Sequence, residues 1–257
     1  MQSALNLFLA TQLFSFLLIF ARIGSAMMVM PGLSDTTVPM NVRLYIALGV
    51  SLVLTPFLQR FLPVIPSQPV AFAMLIATEM LVGIFFGLMA QMILNAINVA
   101  GFVVAHVTSL SSAFTFNPQQ AAQSAVITSF LSLLAVILLF VTDLHHMLFL
   151  GFADSYRIMV PGQPLLFGDM TNAMAEALSK SFVIGLEMAA PFIIVGFGVF
   201  IAMGLVARLV PQIQVFVLSM PIQILVGLTL LITCLSAMML FFFEQYEDFW
   251  QSLFTGG

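Results

Sequence analysis

The run from Val70 to about Val103 constrains the fold most. It carries a single charged side chain, Glu79. At a rise of about 1.5 Å per residue, a helix of this length exceeds the roughly 20 residues that cross a bilayer. Lipid leaves backbone polar groups no outside partner, so such a segment must satisfy them internally, as a helix does. Its polar and small residues do not alternate as in a strand. Glu79, Gly83, Gly87, Gln91 and Asn95 recur every fourth residue, with Asn98 three further on. They stack as an i±4 ridge along one helix surface. Gly83 and Gly87 form a G-x-x-x-G that permits close backbone approach by another helix. The row reads as a face buried in protein, with a polar pore lining as the alternative.

Five further apolar runs accompany it: Leu5 to Met30, Val42 to Leu62, Ala125 to Val141, Met170 to Leu209 and Val215 to Phe243. With 62% hydrophobic and 6% charged residues, the chain falls outside the range of soluble domains. The expectation is an all-α, integral-membrane-type protein of six spans, its long helices kinked at Pro191 and Pro221 and joined as helical hairpins. The N-terminus lacks the positive region of a cleavable signal and reads as a first membrane helix. Pro63, Pro66 and Pro69 make a stiff turn before the long run, and Leu150 to Thr171 reads as the main hydrophilic connection. The acidic, aromatic end E-Q-Y-E-D-F-W suits an interface anchor. Loop charges are too sparse to fix orientation: Arg43 and Arg208 fall on one side, Arg60, Arg157 and Lys180 on the other.

The isolated polar residues exclude several function classes. No basic cluster exists to hold nucleic acid, and Cys234 is the only cysteine, which rules out an intramolecular disulfide. Asp143 and His146 lie three apart, but His145 and His146 point about 100° apart on a helix, so no metal site is expected, and no cofactor. Within the spans, Arg22 either snorkels from its helix end or forms a structural ion pair. Glu187, one turn before Pro191, reads as a hydrogen bond or ion pair within a complex, with a proton or ion path as the alternative.

Val104 to Ser124 is the functional centre. It is the longest weakly hydrophobic interval, and it carries no charge unless His106 is protonated. Non-helical backbone survives at membrane depth only against protein or a water path. This stretch offers hydroxyls, amides and two phenylalanines: Ser109, Ser111, Ser112, Phe114, Phe116, Asn117, Gln119 and Gln120.

Several motifs then coincide. G-L-V-A-R-L-V-P-Q-I-Q-V-F-V-L-S-M-P-I-Q-I-L-V-G (Gly204 to Gly227) resembles the A-R-x-x-P-Q-x-x-V-F-x-x-x-x-P region of the FliR family of flagellar type III export-gate subunits. R-x-G-x-x-x-x-x-P-G at Arg22 to Gly32, V-P-x-x-x-R at Val38 to Arg43, E-x-x-x-G-x-x-x-G at Glu79 to Gly87 and D-x-H-H at Asp143 to His146 follow in the same order. The injectisome branch of the family is similar in layout; Pro221 and Gly227 favour the flagellar branch. The resemblance implies a non-enzymatic, single-copy subunit in the bacterial inner membrane, at the flagellar basal body. Its implied partners are FliP and FliQ subunits around a narrow channel, an FlhB-type switch protein, membrane lipid and unfolded export substrates. It also implies a FliP-like part over 1–171 and a FliQ-like hairpin over 172–257 that turns at Arg208, Pro211 and Gln212. A loop matching 107–123 would plug the channel.

The physical reading agrees with a plug. A closed gate must exclude ions yet admit any unfolded chain, so it needs apolar bulk without fixed charge. The 18 methionines suit a compliant seal as well as ordinary packing. A secondary transporter would place substrate or proton sites at Glu79, Glu187 and Arg22, but no convincing inverted repeat is visible. An intramembrane enzyme would need a nucleophile and base, or a metal constellation, and none stands out.

Overall fold

The computed structural model describes residues 2–34, 38–109, 125–210 and 215–255, and the regular structure among them is helical throughout. The elements are α1 (Gln2–Val29), α2 (Met40–Leu58) with a 3-10 turn at Gln59–Phe61, α3 (Pro69–Val107), α4 (Ala125–Val141), α5 (His145–Ile158), α6 (Phe167–Leu209) and α7 (Val215–Thr255). α3 opens on Pro69, where a missing N–H costs nothing because the first helical donors have no partner. α1 ends at a turn through Gly32, whose φ of 82° lies in the left-handed region open to glycine.

Among the described residues, five helices are long and apolar enough to cross a membrane: α1, α2, α3, α6 and α7. α4 and α5 together make a sixth candidate, bent by 75° at the break between them. α5 departs from the sequence expectation, which placed a hydrophilic connection from Leu150 onward. Asp154 and Arg157 make the segment look like a loop, but Leu148, Phe152, Ser155 and Tyr156 are all buried along one helical face.

The described chain packs as two compact units. One is drawn from Met1–Met92, Thr142–Ala177 and Phe249–Gly257, the other from Ile93–Val141 and Leu178–Asp248. In the first, α1 packs on α2, and Phe14, Leu18 and Leu75 form a buried cluster flanked by Leu62, Phe72 and Ile76. In the second, α6 and α7 form an antiparallel hairpin. Glu187 and Pro191 meet Cys234 to Phe241, while further along α6, Phe192 to Val199 meet Gln223 to Leu230.

Much of the surface is apolar: Ile194, Phe197, Ile201, Leu225 and Ile232 are all more than 60% exposed. That suits lipid or other apolar helices, not water. Lipid supplies no hydrophobic drive between helices, so their association rests on close packing and polar contacts. Tyr246 and Trp250 are buried in the protein, which removes them from the interfacial belt that the sequence suggested.

Candidate functional site

The polar row of α3 is used in two ways. In the first unit its N-terminal half packs on α1. A Cβ at Gly83 would collide with the Arg22 carbonyl oxygen and the Ser25 hydroxyl, and one at Gly87 would lie 2.7 Å from the Ala26 carbonyl oxygen. The Ser25 hydroxyl lies 2.9 Å from the Arg22 carbonyl oxygen and 3.1 Å from that of Met80, joining the two helices.

This close approach brings Arg22 onto Glu79. Nε donates to Oε2 at 2.7 Å and Nη2 to Oε1 at 3.0 Å, the bidentate geometry in which guanidinium binds carboxylate most strongly. Nη2 also donates to the Met159 carbonyl at 2.9 Å and Nη1 to the Ser155 hydroxyl at 3.3 Å. The Tyr156 ring lies 4.0 Å from the guanidinium carbon. Both side chains are only 2% exposed, so Arg22 does not snorkel: every charge-bearing edge is taken up inside the protein. A cleft of about 410 Å³ opens beside the pair, lined by Gln163 and Asp169 among others. Gln91, next in the row, has its side-chain oxygen buried with no hydrogen-bond partner among the described residues.

In the second unit the row continues through Asn95 and Asn98. Asn98 donates to the Asn95 side-chain oxygen at 2.9 Å and accepts from the Ser132 hydroxyl of α4 at 2.6 Å. Small residues again set the spacing. A Cβ at Gly101 would sit 2.8 Å from the Thr128 Cα, and one at Gly185 of α6 would sit 2.7 Å from the Ala96 carbonyl oxygen.

The end of α3 leads into the uncharged loop. Thr108 and Ser109 are buried, and Ser109 has a φ of 54°. The Ser109 hydroxyl donates to the Gln223 side-chain oxygen of α7. A Cβ at Gly196 would collide with the Val107 side chain, and one at Gly227 with that of Thr108. The last turn of α3 is thus wedged into the α6–α7 hairpin at two glycines. His106 is exposed and stacks on Phe102. Ser111, Ser112, Phe114, Phe116, Asn117, Gln119 and Gln120 lie outside the described residues, as do Pro211 and Gln212 of the hairpin turn. Arg208 ends α6 with its side chain exposed, and Glu187 is exposed midway along the same helix.

At the α4–α5 break, Asp143, His145 and His146 come closer than their spacing implies. One ligand-type atom from each lies within 4.8 Å of the others, and the imidazole centroids are 4.2 Å apart. Asp143 adopts a φ of 60°, and its carbonyl accepts the His146 backbone N–H at 2.9 Å. This caps the start of α5, where backbone donors otherwise lack partners.

Ser25, Ser155, Tyr156, Met159, Ser132 and Gln223 are contacts that the sequence reading did not find. Each contact joins segments far apart in the sequence, and nothing local in the chain points to it.

Residues 13–249 match the family of bacterial export proteins, family 1. The flagellar biosynthetic protein FliR of Caulobacter vibrioides is 31% identical over 239 residues, covering 93% of this chain and 95% of the relative. FliR of Bacillus subtilis is 32% identical, covering 92% and 90%. The secretion system apparatus protein SsaT of Salmonella typhimurium is 27% identical over 62% of each chain. The helical, apolar architecture and the match across nearly the whole length agree, and the chain belongs to the bacterial export proteins of family 1, the family of the flagellar biosynthetic protein FliR.

Proposed function

We propose that the chain is a non-enzymatic subunit of the flagellar type III export gate in the bacterial inner membrane, assembled with FliP and FliQ and contacting an FlhB-type switch protein. Residues 1–171 form the FliP-like part and 172–257 the FliQ-like hairpin, and the loop at 107–123 plugs the closed channel through which unfolded flagellar proteins leave. The observation that supports this most is the setting of the loop's first residues. Thr108 and Ser109 are held by Gly227 and Gln223 of α7, which gives an uncharged segment a fixed root beside apolar helices. A plug needs such a root, so that it can move aside and return.

Phe114 and Phe116 supply bulk. Ser111, Ser112, Asn117, Gln119 and Gln120 supply weak hydrogen bonds that exchange readily with a passing chain. Arg22, Glu79, Gly83, Gly87, Gln91, Asn95, Asn98 and Glu187 serve helix interfaces, within the chain or with neighbouring subunits. The likeness to SsaT supports a second reading, the equivalent subunit of a virulence injectisome; the FliR relatives cover more of the chain.

Deleting Ser109 to Asn117 tests the plug. The expected result is a membrane leaky to small ions or dyes, with secretion at least partly retained. An unchanged ion barrier around an otherwise assembled complex contradicts it.

A further inference from the structure

Glu187 is an exposed carboxylate in the second unit. It sits within the apolar body of α6, between Phe182 and Phe192, with its side chain facing outward. Among the described residues nothing hydrogen-bonds to its carboxylate or pairs with it. The unit's own cations, Lys180 and Arg208, are seven and twenty-one residues away on the same helix, or about 10 and about 30 Å at helical rise. An unpaired carboxylate in hydrocarbon is disfavoured, so such a group in a membrane protein faces protein or a water-filled cavity and takes a partner there.

Two further features converge on it. Pro191 has no N–H, so the backbone carbonyl of Glu187, four residues earlier, loses its helical hydrogen bond. The same turn opens a cleft of about 340 Å³ lined by Glu187, Met188, Pro191, Cys234, Met238 and Phe241. The spot therefore offers two acceptors, one of them charged, at the mouth of an apolar recess. That matches a long basic side chain, whose methylene stem buries in apolar surroundings while its head donates several hydrogen bonds. A small hydrated cation would not use the recess.

We infer that Glu187, the freed carbonyl and the cleft at Pro191 form a docking site for a lysine or arginine carried on an apolar helix of a neighbouring subunit. The inference rests on the proposed assembly into a multi-subunit gate and specifies one of its contacts.

The test keeps the two apart. In cells producing the full export apparatus, a benzophenone amino acid replaces Val183, which is 52% exposed and one turn from Glu187. The expected cross-link is to a protein segment with Lys or Arg within one turn of the captured residue. E187K is expected to lower recovery of the complex by about tenfold or more, as charge reversal at a desolvated pair does. Changing the captured basic residue to Glu in the E187K background should restore recovery to within about twofold of the original. Cross-links to lipid alone, a captured segment without a basic residue, or E187K recovered within about twofold of the parent each overturn the inference. If the parent chain assembles with no partner at all, the gate reading and the docking site fall together; if it assembles with partners but E187K is recovered equally well, the docking site alone is overturned.

Discussion

Arg22 and Glu79, far apart in sequence, hold each other through hydrogen bonds of 2.7 and 3.0 Å in a seam where each side chain is only 2% exposed. The pair joins α1 to α3 at the point where Gly83 allows their backbones to meet, and it draws Ser155 and Met159 of the α5 region into the same cluster. A buried pair of this kind is weak as a source of net stability, but breaking it is costly because one charge is left without a partner.

Removing one member alone is therefore expected to do the most damage. Glu79→Ala or Arg22→Ala should each destabilise the protein by about 3–5 kcal/mol, whereas the double replacement Arg22→Met with Glu79→Leu should cost clearly less than the sum. Thermal unfolding of the detergent-purified protein, followed by loss of monodispersity, reads all three. Additive losses would show that the two charges act independently.

The glycines divide by what surrounds them. Gly83→Ala should be strongly destabilising, because its Cβ would meet backbone at Arg22. Gly198→Ala should be neutral or stabilising by up to about 1 kcal/mol, because nothing lies within 4 Å of its Cβ position and alanine favours the helix. The same unfolding assay compares them. Equal effects would contradict the packing described for α1 and α3.

The polar row on α3 was legible from spacing alone, since an i±4 ridge of five residues, Glu79, Gly83, Gly87, Gln91 and Asn95, needs no knowledge of its partner. The identity of that partner was not. Arg22 was visible as a charge inside a span, but whether it reached lipid headgroups or Glu79 depended on a crossing that no local pattern encodes. α5 escaped detection for a different reason: Asp154 and Arg157 on its outer face obscured the spacing of Leu148, Phe152 and Tyr156, although that spacing was present in the sequence. Tyr246 and Trp250 looked like interface aromatics because composition near an acidic end does not distinguish burial in protein from burial in headgroups.

The contact between Ser109 and Gln223 should matter to the loop more than to the fold. Gln223→Ala removes the acceptor at the end of α3 and is expected to cost about 1 kcal/mol in stability. On the proposed function it also loosens the root of the plug, so dye or ion leakage through assembled complexes should rise while unfolding temperature changes little. A large loss of stability with no leak would place this contact in the packing of the hairpin only.

Arg208 is exposed at the end of α6, so Arg208→Glu should leave stability within about 0.5 kcal/mol. On the proposed function it should still reduce flagellar export, because the side chain is free to contact another gate subunit or the switch protein. Secretion of a flagellar substrate into the medium, measured beside the unfolding temperature, separates the two effects. Full export with Arg208→Glu would remove that contact from the account.

The central claim is membership of a multi-subunit export gate, and native mass measurement of the complex extracted from the membrane tests it most directly. The account predicts a hetero-oligomer containing one copy of this chain and several copies of two other small hydrophobic proteins. A stable monomer or homodimer that binds and transports a small solute by itself would contradict it.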